Sequence, residues 1–352
     1  MAMNSISTEQ AINILLKAAE LAPSADNSQP LVKKVLNNRF TIYEKQKETV
    51  GFSDQQGFLS SFALGLATQS IVLQAEYMGV AITVKASLME SAGRLNVEFV
   101  LPGPKIDVSN TDISPDISSR YTERALAFSK PTGNIDIQQM QTYINEFDCQ
   151  LSKYDKAVSP TFKQIAKLAG RAEEMRFQDK NIHAEMTSSI DFDDKYQGKK
   201  HLPLKVLKLD FAALLGLKLI RSWKLLSFLN NFCFYKMLGF KGATEPLSKA
   251  PLIFCLSSRS YNKHDLFNAG RALMSVWTKL TAQGLAVHPY AAVGTMMSNH
   301  FTFQDAKLEK KRQAFSVKCK ELIGSDTPCI LLRVGIFKGE KVKTGRMPIE
   351  NA

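Results

Sequence analysis

The chain is poor in the signatures that usually name an enzyme. Its 352 residues contain no GxGxxG and no GxxxxGKS/T, so the common dinucleotide-binding and P-loop arrangements are not expected. The five histidines, His183, His201, His264, His288 and His300, show no HExxH or other close ligand spacing, and no metal site is expected. No GxSxG elbow is present. Cysteine is sparse and odd in number: Cys149, Cys233, Cys255, Cys319 and Cys329 are widely spaced and form no CxxC pair. That is the usage of a reducing compartment and not of a disulfide framework. No apolar run reaches the roughly 18 to 20 residues of a membrane span, and MAMNSISTEQAINILL lacks the basic-then-apolar layout of a secretion signal. These absences lead to the expectation of a soluble, cytoplasmic protein.

Apolar residues and positive charge are plentiful. Hydrophobic residues make up 45% of the chain, enough to offset the ordering entropy of a folded core, and the length suits two domains or one duplicated one. The net charge of +12 is concentrated: between Lys195 and Lys241 there are ten Lys or Arg and a single acid, Asp210.

Ser7 and Gln10 fit a capping box, followed by helical spacing of Ile12, Leu15, Leu16 and Ala19 up to Ala22, where Pro23 ends the pattern. RFTIYE (39 to 44) reads as a strand and Gln56 to Gly79 as a long apolar helix. ITVKASL (82 to 88) and LNVEFVL (95 to 101) read as a hairpin. Residues 62 to 82 can be laid over 267 to 287, matching Phe62 with Phe267, Gly65 with Gly270, Ala67 with Ala272, Ser70 with Ser275 and Gly79 with Gly284. Strand-like sequence follows each helix, in the second case PCILLRVGIF (328 to 337). A duplication is expected, with halves at about 1–112 and 113–352.

Two polar stretches stand out. APSADNSQP (22 to 30) places five hydrogen-bonding side chains between two prolines, where a plain connection needs two to six residues. RYTER (120 to 124) sets Arg120, Thr122 and Arg124 at alternate positions, which in an extended segment face one way. Spacing alone fits either a solvated loop or a receptor for an anionic oxygen group. Arg346 and Lys343, after the last strand, are either exposed or reach back over a site. Arg271 is expected in a surface ion pair.

Together, AAELAPSADNSQP (18 to 30), the repeated G-x-A helices, RYTER, GLAVHPYAAVG (284 to 294) and LLRVGIFKGEKVKTGRMP (331 to 348) resemble the FMN-dependent nitroreductase family. The closer likeness is to its large single-chain, two-repeat, pseudo-dimeric branch. The resemblance implies an α+β fold of two related halves, each a mainly antiparallel sheet flanked by helices, with a helical insertion at about 170–248 as a lid. It implies that Pro23, Ser24, Ala25 and Asn27 hold the flavin ring and that Gln29 and Pro30 shape the loop. Leu31 stands where the family has an aromatic residue. Arg120, Thr122 and Arg346, with Lys343, would hold the FMN phosphate, and Arg124 would approach the N1–O2 edge of the ring. Pro289, Tyr290 and Ala291 would line the ring near N5.

Because the ring loop is in the first half and RYTER in the second, one FMN per chain is expected. Such a protein would take electrons from NADPH or NADH and pass them in ping-pong order to a nitroaromatic, quinone or enone. The alternatives are a protein that sequesters FMN without turnover, and a membrane-surface or partner-binding module on the same scaffold.

Residues 202 to 240 are apolar and basic together, with Lys218, Arg221 and Lys224 on one side and Phe211, Leu215, Leu219, Trp223 and Leu226 on another. One amphipathic helix, or two with a break near Gly216 or Asn230, is expected. Its apolar face is expected to pack over the site; a peripheral membrane contact is the alternative. No nucleic-acid partner is expected. The chain is read as a monomer or a homodimer.

Overall fold

The first helix, Thr8–Glu20, begins with a reciprocal capping box. Ser7 Oγ accepts from the Gln10 N–H at 3.2 Å, and Gln10 Oε1 accepts from the Ser7 N–H at 3.0 Å. The computed structural model describes residues 4–45, 51–89, 93–298 and 300–352.

Period-two alternation builds the first sheet. Phe40 and Ile42 of Arg39–Glu44, and Leu95, Val97 and Phe99 of Arg94–Val100, are buried, and the Phe40 and Phe99 rings stack at 4.8 Å. The expected hairpin is Thr83–Met89 paired with Arg94–Val100. Leu31–Leu36 completes the antiparallel part, and Glu350–Asn351 returns from the far end of the chain to pair in parallel with Val32 and Lys33. The second sheet runs Ala286–Tyr290, Pro328–Gly335, Leu252–Ser257, Gln150–Asp155, antiparallel throughout. Pro328–Gly335 and Leu252–Ser257 are buried along their whole length, which is why they read as apolar runs.

Two helices, Phe58–Met78 and Lys263–Ala282, cross between the sheets. The first is apolar on every side and, by length and composition, long enough to cross a membrane; 83% of its most apolar stretch is buried inside the protein. At the crossing the contact is reciprocal. A Cβ on Gly65 would run into the Phe267 carbonyl, and a Cβ on Gly270 into that of Phe62. The architecture is α+β, two mainly antiparallel sheets around a central helix pair.

The basic segment is a train of short helices, Phe211–Leu219, Trp223–Asn230 and Phe234–Gly239. Gly216 lies inside the first of them. The breaks fall at residues 220–222 and 231–233, because Ser222 caps the second helix and Cys233 adopts left-handed geometry at φ 60° before the third. The expected inward-facing stripe is divided: Phe211, Leu215 and Leu219 are 82%, 50% and 55% exposed, whereas Trp223 is half-buried and Leu226 fully buried. All five cysteines are free thiols.

Candidate functional site

Three left-handed residues shape the loop after the first helix. Asp26, Asn27 and Gln29 take φ of 48°, 56° and 53°, a region that non-glycine residues seldom adopt and that Asp and Asn tolerate best. Ser24 Oγ accepts from the Gln29 N–H at 3.0 Å, and the Ser28 N–H donates to the Ala25 carbonyl at 2.9 Å. The polar residues between the prolines thus hold one strained loop shape. Asn27 is buried and turned away from the cavity described below. Its amide donates to the carbonyls of His201 (3.1 Å), Lys199 and Gly345 (both 3.4 Å). Gln29 donates to Lys199 O at 2.7 Å and accepts from the Met347 N–H at 2.8 Å. Both side chains tie the loop to distant backbone.

Pro23, Ser24 and Ala25 form one wall of a cavity of about 290 Å³. The opposite wall is the end of the Ala286–Tyr290 strand and its continuation, with His288, Pro289, Tyr290 and Ala291. Phe62, Leu66, Leu273 and Trp277 of the crossing helices form the floor, and Glu173, Arg176, Ile182, Leu202 and Gly242 contribute from the insertion.

RYTER lies beside this strand. Thr122 bridges to Val287, and the Glu123 N–H donates to Val287 O at 3.0 Å. Thr122 and Arg124 line both the cavity and a second, smaller pocket of about 50 Å³, whose other walls include Ser118, Arg120, Tyr121, Lys343, Thr344 and Arg346. The segment's one acid is directed elsewhere: Glu123 is fully buried, paired with Lys208 at 2.8 Å, and accepts from the Ala125 N–H at 2.7 Å.

The small pocket is therefore lined by cations. Among the described residues none of Arg120, Arg124, Lys343 and Arg346 has a carboxylate partner. Arg120 donates to the Leu21 carbonyl at 2.8 Å and lies 4.7 Å over the Trp277 ring. Arg346 donates to Gly345 O at 2.8 Å and to Ala22 O at 3.3 Å, and Lys343 donates to the Ser118 carbonyl. Burial pushes the Arg120 guanidinium down to about 9, with Arg346 adding to the shift, and Arg346 down to about 10, with Arg124 adding. Lys343 is lowered by burial and then by Arg120. Arg124 is lowered by burial, opposed by Asp26. Mutual repulsion in a water-poor pocket is costly, and a bound anion relieves it.

Two donors around the cavity are also unsatisfied. Trp277 Nε1 and Tyr290 Oη, like Arg120 Nε, are buried without a hydrogen-bond partner. Such groups are rare in folded proteins and mark a place where a ligand supplies the missing acceptors. A planar, phosphate-bearing cofactor fits this set: cations and a hydroxyl in the narrow pocket, and apolar walls with free donors in the wide one.

Reasoning from sequence did not single out Arg333, which is wholly buried behind the site. It donates to the carbonyls of Ala125 (2.6 Å), Leu126 (3.1 Å) and Glu123 (3.3 Å), and to His288 Nδ1 at 3.2 Å, fixing RYTER against the strand. The His288 imidazole, accepting at Nδ1, is kept neutral by burial and by Arg333 and Arg124. Nor did it find the Glu173–Arg176 pair, in which Arg176 Nη1 donates to both carboxylate oxygens at 2.9 and 3.0 Å; their i,i+3 spacing was the available signal. Arg271 departs from its expected ion pair: it donates to Gln69 at 3.0 Å and covers the Phe147 ring at 4.5 Å.

No family model matches the chain, and no curated protein matches it. Among solved structures, it is similar to a nitroreductase with bound FMN from Bacteroides fragilis, at 12% identity and a TM-score of 0.33, covering 66% of this chain and 95% of that one. A mutant of the FMN- and NADPH-dependent nitroreductase NfnB from a Sphigopyxis strain gives 12% identity and 0.31, over 64% and 88% of the two chains. NfnB from Mycobacterium smegmatis in complex with NADPH gives 13% and 0.31, over 63% and 85%. What the site can do follows from its own residues.

Proposed function

We propose that this protein is an FMN-dependent oxidoreductase that takes electrons from NADPH or NADH and passes them to a small organic acceptor, a nitroaromatic, quinone or enone. The observation that carries the reading is the carboxylate-free cluster of buried Arg120, half-buried Arg124 and Arg346 and, at its rim, exposed Lys343, opening into a larger, mostly apolar cavity. Bound FMN would supply the redox chemistry, accepting a hydride and returning it to the second substrate.

The chain's own part is binding and electrostatics. Arg120, Thr122, Lys343 and Arg346 hold the phosphate by charge-assisted hydrogen bonds. Arg124, which lines both pockets, would supply positive charge to the bound flavin. Pro23 to Ala25 and Pro289 to Ala291 line the wide cavity, and Phe62, Leu66, Leu273 and Trp277 add apolar surface to it. No side chain is assigned as a general acid or base. The two halves, about 1–112 and 113–352, each contribute to this one site, and the reciprocal Gly65/Gly270 crossing supports reading them as related.

The test is an anaerobic visible spectrum of the purified protein before and after NADPH. A yellow flavin band that bleaches quickly is expected. A band that persists would favour a protein that sequesters FMN, a reading supported by the insertion residues that line the cavity. No band, even after adding FMN, would overturn both.

A further inference from the structure

The train of short helices from Phe211 to Gly239 carries a surface that the flavin site does not use. Phe211, Leu215 and Leu219 are each at least half exposed and stand four residues apart along one stripe of the first helix, none of whose residues is buried. On the next helix Lys224 and Phe228 continue the exposed side, and the Phe228 ring meets Phe232 at 5.7 Å. Met237 and Phe240 extend it. So many large exposed apolar side chains on one short segment mark an interaction surface.

The surface rests on a firm base. Leu226 is fully buried on the opposite side, Trp223 packs on His183 at 5.3 Å, and His183 Nε2 meets the Ile220 carbonyl at 2.8 Å. Asn230 donates to Phe177 O at 2.9 Å. The second and third helices are therefore packed onto the protein, and the first is anchored at its C-terminal end through Ile220.

Charge selects the occupant. Lys218, Lys224 and Lys236 are exposed and, among the described residues, have no carboxylate partner; Arg221 lies over the Phe192 ring at 4.9 Å. Asp210, the only acid between Lys195 and Lys241, caps the first helix through the Ala213 N–H at 2.8 Å. A second copy would bring the same cations against themselves. Short helices with satisfied backbones, aromatic residues outward and lysines at the margins suit a lipid interface, where lysine stems lie along apolar surface and their ammonium groups reach phosphates. We propose that this face docks on an anionic phospholipid bilayer, lying in the plane of the interface and not spanning it.

Vesicle co-sedimentation of the full chain tests this. Binding is expected to phosphatidylcholine vesicles that contain phosphatidylglycerol, weakening as salt rises, and not to phosphatidylcholine alone. Lys218→Gln, Lys224→Gln and Lys236→Gln together should weaken partitioning roughly a hundredfold, at about fivefold per charge. A Phe211→Ser, Phe228→Ser, Phe232→Ser variant should lose binding as well. All six side chains are exposed, and an unchanged melting temperature checks that the fold is kept. No binding to either vesicle, equal binding to both, or binding that survives the substitutions would overturn the proposal. So would a lipid-free dimer that the serine variant dissolves, which would assign the face to a second copy.

Discussion

Among the described residues the Arg120 guanidinium makes one hydrogen bond, to Leu21 O, and leaves a buried Nε without a partner. Its depressed pKa expresses the same fact electrostatically: a guanidinium held away from water beside Arg346 is short of an anion. Arg120→Ala should weaken FMN binding by about 1.5 to 3 kcal/mol, on the order of 10- to 100-fold. A flavin fluorescence titration reads this directly, and an unchanged Kd would remove Arg120 from the site. Asn27 shows the limit of the residue scale. Its neighbours in sequence give no hint that its amide meets carbonyls at 199, 201 and 345, because those partners lie about 170 and 320 residues away.

Elements were legible to very different degrees. Gly65 and Gly270 lie where the two central helices touch backbone to backbone, so Gly65→Ala or Gly270→Ala should each cost about 1 to 3 kcal/mol by overpacking. Denaturant unfolding measures the loss, and wild-type stability in both variants would show that the crossing is looser than described. Both glycines could be picked out because the repeated pattern marks a close approach. RFTIYE and the second strand of the hairpin, Arg94–Val100, were legible because alternate residues are buried. Gln150–Asp155, an edge strand with a single buried residue, has no such pattern. The stripe of Phe211, Leu215 and Leu219 was readable as a stripe, but periodicity does not say which way it faces. Here it faces out.

At the scale of the molecule, the ring-side loop belongs to the first half and the arginine segment to the second. Neither sequence recurs in the other half. A stoichiometry of one FMN per chain is expected, measured as released flavin absorbance against protein; a ratio near two would mean that a second site was missed. The positive charge is as unevenly divided as the motifs. Glu123 and Lys208 show the insertion reaching back to the arginine segment, pairing the one acid that would otherwise neutralise the cluster.

The returning end of the chain has a consequence for synthesis. Arg346 reaches Ala22, Met347 reaches Gln29 and Glu350 aligns with Val32, so the segment that carries two of the pocket's cations is clamped onto a loop and strand made some 320 residues before it. A nascent chain on the ribosome can form the first sheet early, yet its anion pocket stays open on one side until residues 343 to 350 have emerged. A chain cut before residue 343 would keep most of the core and lack that wall, so on the proposed function it should hold FMN less tightly than the chain that carries it.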